Sequence, residues 1–352
     1  MSLFKRGSLP LLLAFAFSLA NAQAPPPTQA DQHNLPPGSQ APESPFAEAK
    51  RLSQEGKYDE ALAQLKDLSA KEPGLKGLDL ELGSVYYKKG DYINAINSLK
   101  QAVAGDQDNG EAIQLLGLSY YLAGRAAEAI PLLSKVQTWY PRANVDAAYI
   151  LGICYIQTKN YSEARHAFAR MFGVPPESAA SYLFTARMLL RQEFEPIAQQ
   201  YAQKAAALDP HLPQAHFLLG EIYMYESRIP ESVSEFQKEL QINPGDAATY
   251  YKLADAYSRI QKYEDAERML QQSIWLDSTS TGPYILMGKV LEKKGEPELA
   301  RRALQHAMAM DPNNPITHHL LGQVYRDMGM GDDAARELKT AEQLQQAQNR
   351  NQ

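Results

Sequence analysis

The chain has 352 residues, 44% of them hydrophobic and 22% charged, with a formal net charge of −6. It lacks the basic excess that neutralises a phosphate backbone, which argues against nucleic acid as a partner. A single cysteine, Cys154, excludes an internal disulfide, so packing must hold the fold; it lies in the apolar run 149–156 and reads as a small buried hydrophobe, not a reactive thiol.

The N-terminus carries a secretory-signal pattern. Lys5 and Arg6 are basic, residues 9–19 are apolar apart from Pro10 and Ser18, and Ala20-Asn21-Ala22 offers small residues for cleavage. That run is about half of the roughly 20 residues a spanning helix needs, so cleavage after Ala22 is expected, and no other segment is apolar enough to span a membrane. Cleavage removes two of the 35 basic residues, leaving 33 against 41 acidic and a net charge of −8. The expectation is an exported protein, periplasmic or secreted. Residues 23–45 are rich in Pro, Gln, Ala and Ser without apolar periodicity, and read as a disordered linker.

From there the chain repeats itself. Ala61, Ala95, Ala129, Ala164, Ala198, Ser232, Ala266, Ala300 and Ala334 follow one another at spacings of 34 residues, once 35. Twelve residues before each stands Ala49, Gly83, Gly117, Gly152, Ala186, Gly220, Ala254, Gly288 or Gly322, and three residues after that a Tyr or Leu. Numbering each repeat so that this Gly or Ala is position 8 puts the Ala/Ser at position 20. Prolines close six of the repeats: Pro73, Pro141, Pro176, Pro210, Pro244 and Pro312. Apolar spacings of three and four predict two helices per repeat. Gly90, Gly124, Gly295 and Gly329 mark the reversal between them, and Pro230 and Pro297 fit the first turn of a second helix.

The pattern resembles the tetratricopeptide repeat family, as in Leu82-Gly83-Ser84-Val85-Tyr86 followed by Gly90-Asp91-Tyr92 and Ala95. The resemblance implies an all-α, right-handed superhelical solenoid of antiparallel helix pairs without catalytic chemistry of its own. The expected organisation is a signal peptide at 1–22, a linker at 23–45, a solenoid at 46–348 and a polar tail at 349–352. Its nine repeats fall near 42–75, 76–109, 110–143, 145–178, 179–212, 213–246, 247–280, 281–314 and 315–348. Asn144 is an extra residue between repeats three and four. Repeat five, with Thr185, Ala186, Pro196 and Ala202, reads as a softer joint. The last helix, from Ala334, offers Leu338, Ala341 and Leu344 to the stack and turns Arg336, Glu337, Lys339 and Glu342 outward, so it can end the array.

No phosphate loop, nucleophile elbow or zinc-protease motif is present, so neither an enzyme nor a cofactor is expected. His318 and His319 are adjacent on a helix and diverge by about 100°, and the other histidines lack ligand spacing, so no metal site is expected.

Positions 5, 9 and 12 of the first helix share one face, rotated away from the packing face at positions 4, 7, 8 and 11. In the family the first helices line the concave surface, which makes this set a candidate partner-binding groove. The candidates are Tyr87, Leu118, Tyr121, Tyr149, Ile153, Ile156, Leu183, Arg187, Leu190, Phe217, Glu221, Met224, Tyr251 and Asp255, and Leu80, Ser84, Gln114 and Ser258 complete repeats two to seven. Twelve of these eighteen are apolar or aromatic, more than a wetted face needs; the competing expectation is that several fold onto neighbouring helices and complete the core. The slots lack the Lys and Asn set that grips a C-terminal carboxylate in some family members. A protein or peptide is the expected partner. Three roles stay open: a scaffold or adaptor in the cell envelope, a structural part of an envelope assembly for secretion, pili or polysaccharide export, and a regulatory subunit of an exported enzyme.

Overall fold

The computed structural model describes residues 44–139, 145–193 and 195–350. The signal pattern, most of the linker and Asn144 lie outside them. The described residues form eighteen helices and no strand. Repeat one holds α1 (Ala47–Gln54) and α2 (Tyr58–Lys71), repeat two α3 (Leu78–Lys89) and α4 (Tyr92–Gly105), and repeat three α5 (Gly110–Leu122) and α6 (Ala126–Trp139). Repeat four holds α7 (Val145–Gln157) and α8 (Tyr161–Phe172), repeat five α9 (Ala179–Arg191) and α10 (Glu195–Leu208), and repeat six α11 (Ala215–Tyr225) and α12 (Ile229–Ile242). Repeats seven to nine are α13 (Ala247–Arg259) with α14 (Tyr263–Leu276), α15 (Thr281–Lys293) with α16 (Pro297–Met310), and α17 (Pro315–Asp327) with α18 (Gly331–Arg350). This is the all-α solenoid of antiparallel helix pairs that the spacing predicts.

One backbone conformation makes each hairpin. Position 15 takes a positive φ in every repeat: Gly56, Gly90, Gly124, Gly295 and Gly329 do so, and in repeats four to seven Lys159, Glu193, Ser227 and Gln261 do so at φ of 60–63°. The left-handed residue ends the first helix and lets the next amide bond back into its last turn, as Asp91 N does to Tyr86 O at 2.9 Å. Pro230 sits in the first turn of α12 and Pro297 opens α16, where a missing amide hydrogen costs nothing.

Within each hairpin, position 8 lies against position 24. A Cβ built on Gly83, Gly117, Gly152, Gly220, Gly288 or Gly322 would come within 2.4–2.8 Å of the side chain of Leu99, Leu133, Phe168, Phe236, Leu304 or Leu338, respectively. The small residue is therefore what lets the helices approach. Repeat five fills the same two positions with Ala186 and Ala202, both fully buried. The Ala/Ser residues at position 20 are buried in all nine repeats. Cys154 is buried in the same continuous core, and burial pushes its thiol up to about 12.

Successive first helices pack on one another (α1–α3, α3–α5, α5–α7, α9–α11, α11–α13, α13–α15 and α15–α17), and no two second helices do so to the same degree. The first helices thus form the tighter, inner layer. Between α7 and α9, at the entry to repeat five, the backbones approach less closely than at the other steps of this layer. Arg165, buried in α8, clamps that entry. It donates to Pro176 O and to Glu177 Oε1 (2.5 Å for the latter), and its guanidinium lies 4.5 Å from the Tyr182 ring centroid.

At the C-terminal end, Ala341 is buried and Leu338 and Leu344 are half-buried, while Arg336, Lys339 and Glu342 face water. Glu337, expected on the outer face, instead turns inward to meet His318 at 2.6 Å. Its place in the helix faces the partner helix once the two pair.

Candidate interaction groove

The first helices carry a row of apolar side chains that inter-helix packing buries only in part: Tyr87, Leu118, Tyr121, Tyr149, Leu190, Phe217, Met224 and Tyr251. Each occupies position 5, 9 or 12, so successive repeats bring them onto one side of the inner layer. Two of the aromatics are backed by a buried phenylalanine. Tyr149 lies 6.3 Å from Phe168 and Phe217 lies 5.7 Å from Phe236, centroid to centroid, and those phenylalanines are the ones that Gly152 and Gly220 admit. A missing side chain at position 8 thereby sets the height of a groove aromatic at position 5. Tyr251 leans on the next repeat, 3.4 Å from where a Cβ on Gly282 would be. Burial holds the hydroxyls of Tyr121 and Tyr251 in their neutral form, raising both above the usual tyrosine value.

Three predicted lining residues are not at the surface. Ile153, Ile156 and Leu183 are 1%, 0% and 6% exposed and belong to the core shared by repeats four to six. Helix α7 is apolar on more than one face, and its positions 9 and 12 are covered by the following repeat, as the competing expectation allowed for some of the set.

The charged members behave differently from one another. Glu221 pairs with Lys252 of the next repeat at 2.9 Å, as Lys50 pairs with Glu81 at 2.7 Å, so position 9 reaches position 6 of its successor. Asp255 pairs with Arg259 at 3.0 Å. Arg187 has no carboxylate partner; its Nη2 donates to the neutral Gln214 Oε1 at 2.8 Å. Gln214 in turn donates through Nε2 to Asp246 Oδ2 at 3.2 Å, and its backbone N–H donates to Glu239 Oε1 at 2.7 Å. Glu239, fully buried in α12, also accepts from Phe217 N at 3.2 Å and so caps the start of α11.

Sequence reasoning passed over Arg191, which stands one turn after Arg187 on α9, exposed and without an ion pair among the described residues. The four-residue spacing was the available signal. Glu239 left no such signal, because its role depends on which helix start it reaches. Among the described residues no group of three or more His, Cys, Asp or Glu could hold a metal ion, and no helix is long and apolar enough to cross a membrane.

Models of the tetratricopeptide repeat match residues 52–117, 185–247, 235–268 and 282–314, and a model of anaphase-promoting complex, cyclosome, subunit 3 matches residues 88–171. No curated protein matches the sequence. Among solved structures, MamA is 21% identical over 47% of this chain and 96% of its own, with a TM-score of 0.44. YrrB, described as a TPR protein with an unusual peptide-binding site, is 21% identical over 52% of this chain and 93% of its own, with a TM-score of 0.45. PilF of Pseudomonas aeruginosa is 19% identical over 55% and 88%, with a TM-score of 0.46. The repeat models, the regular spacing and the helical hairpins agree: the chain is a tetratricopeptide-repeat protein.

Proposed function

We propose that the chain is a non-catalytic interaction scaffold of the cell envelope, which holds a protein segment, extended or helical, along the inner face of its first helices. The observation that carries this reading is the row of partly buried aromatic and aliphatic side chains from Tyr87 to Tyr251, recurring at the same repeat positions and only partly covered by the packing of the array. Contiguous exposed apolar surface is costly unless something else covers it, and tyrosines bury much area with few rotors to freeze. The envelope location rests on the signal pattern ending at Ala22.

A photo-crosslinking amino acid at Tyr149, introduced in living cells, should yield a defined adduct identifiable by mass. Phe217→Ser should abolish it while leaving the helical circular-dichroism signal intact. Undiminished adduct from the folded Phe217→Ser variant would remove the groove from consideration.

A further inference from the structure

Resting on that groove, we infer that its occupant is an acidic–apolar peptide segment, whose side-chain carboxylate lands on Arg187 and Arg191 between apolar residues seated on the neighbouring aromatics. The argument starts from charge balance. Elsewhere along the inner face Lys50, Glu221 and Asp255 are each neutralised by a neighbour at 2.7–3.0 Å. Helix α9 breaks that rule with two guanidinium groups one turn apart, neither paired with a carboxylate among the described residues. Like charges four apart on a helix destabilise it, and no ion pair among the described residues offsets that cost.

Arg187 is also held without being neutralised. The amide oxygen of Gln214 fixes one of its nitrogens, and Gln214 is fixed by Asp246 and Glu239. A guanidinium has five donors in a planar fork, so this anchor leaves most of them for an incoming acceptor, in the geometry that suits a carboxylate. Holding the fork in place beforehand removes part of the ordering cost of binding. By repeat position the same face carries Leu190 on the same helix, Tyr149 in the preceding repeat and Phe217 in the following one. Apolar surroundings of this kind strengthen a charge–charge contact by excluding water. Lys289, at position 9 of repeat eight on α15, also lacks a carboxylate partner among the described residues, but it is exposed and has no such frame.

The test is selection of a phage-displayed random dodecapeptide library on the full chain and on Arg187→Gln/Arg191→Gln. Displayed peptides are joined to the coat protein at their C-termini, so any acidic preference belongs to side chains. The wild-type protein should enrich peptides with Asp or Glu within a few residues of Leu, Phe or Trp. The double variant should keep the apolar preference and lose the acidic one. Replacing Glu by Gln in an enriched, amidated peptide should weaken binding to the wild-type chain about tenfold, the scale of one charge-assisted bond, and should leave binding to the variant unchanged. Apolar enrichment without acid, or acid enrichment that survives in the variant, overturns the carboxylate and leaves the groove standing. Failure to enrich any peptide overturns both.

Discussion

Gly220 and Phe236 share one volume across the hairpin of repeat six: a Cβ on the glycine would lie 2.5 Å from Phe236 Cε1. Gly220→Ala gains helix propensity of about 1 kcal/mol but forces the ring to move, and overpacking costs about 1–3 kcal/mol. A net loss of roughly 1–2 kcal/mol is expected in urea unfolding. The second change Phe236→Leu should restore most of it, because repeat seven already places Ala254 and Leu270 at the same two positions, both fully buried. Gly105→Ala is the control: nothing lies within 4 Å of its added Cβ, and it should be neutral or stabilising. Recovery must fail in the double variant if the glycine serves some end other than room for the ring.

Ser227 and Gln261 hold a left-handed conformation that costs an ordinary residue about 1–2 kcal/mol. Glycine at either position should therefore stabilise the chain, by somewhat less than that figure because glycine also loosens the unfolded state. Thermal unfolding of Ser227→Gly and Gln261→Gly would show raised midpoints. Gly90→Ala, the reverse exchange at the same position of repeat two, should lower the midpoint.

The Glu239 side chain is fully buried and accepts from two backbone N–H groups at the start of α11. Glu239→Ala removes the acceptor from both and should cost about 2–4 kcal/mol. Glu239→Gln keeps one carbonyl oxygen and should cost less. Hydrogen exchange at the Phe217 amide checks the mechanism: it should accelerate in the alanine variant ahead of amides in repeats two and three, since each repeat leans only on its neighbours. Uniform acceleration along the array would mean that Glu239 supports the stack as a whole.

Much of the fold was legible in the sequence because a solenoid repeats its instructions. A single hairpin with small residues at positions 8 and 20 is ambiguous, but the same spacing recurring in phase along the chain is not. The glycine turns were read correctly at Gly90, Gly124, Gly295 and Gly329, yet the identical turns at Lys159, Glu193, Ser227 and Gln261 were invisible, since tertiary packing there imposes a conformation those residues do not prefer. The groove was legible as a pattern and not as a surface. Position counting assigns Ile153 and Tyr149 to the same face, and only the packing of side chains from repeat five separates a fully buried residue from a partly buried one. Contacts between repeats, such as Arg187 with Gln214 or Glu221 with Lys252, depend on superhelical geometry that no local spacing encodes. The His–Glu pairs are an intermediate case. His216 with Glu235 and His318 with Glu337 occupy positions 4 and 23 in repeats six and nine, each 2.6 Å apart, a recurrence visible only after the helices are known to pair.

His318 makes the terminal repeat sensitive to pH. Its Nδ1 meets the Glu337 carboxylate at 2.6 Å and its Nε2 meets Pro312 O at 2.9 Å. Both partners only accept, so both ring nitrogens must donate, and only the imidazolium form can do that. Burial of the ring opposes the charge, but the bonds to Glu337 and Pro312 and the nearby charges of Glu337 and Asp311 outweigh it, and the group titrates above its ordinary 6.5. A pKa raised on folding means the folded chain holds the proton more tightly. The stabilisation is complete below pH 6.5 and disappears as pH rises through the folded value. The difference in unfolding midpoint between the wild-type protein and His318→Gln, followed from pH 5.5 to 9, should be largest at the acid end and shrink with alkalinity. A difference independent of pH would show that the ring is neutral when folded, and that one of its two bonds is not made.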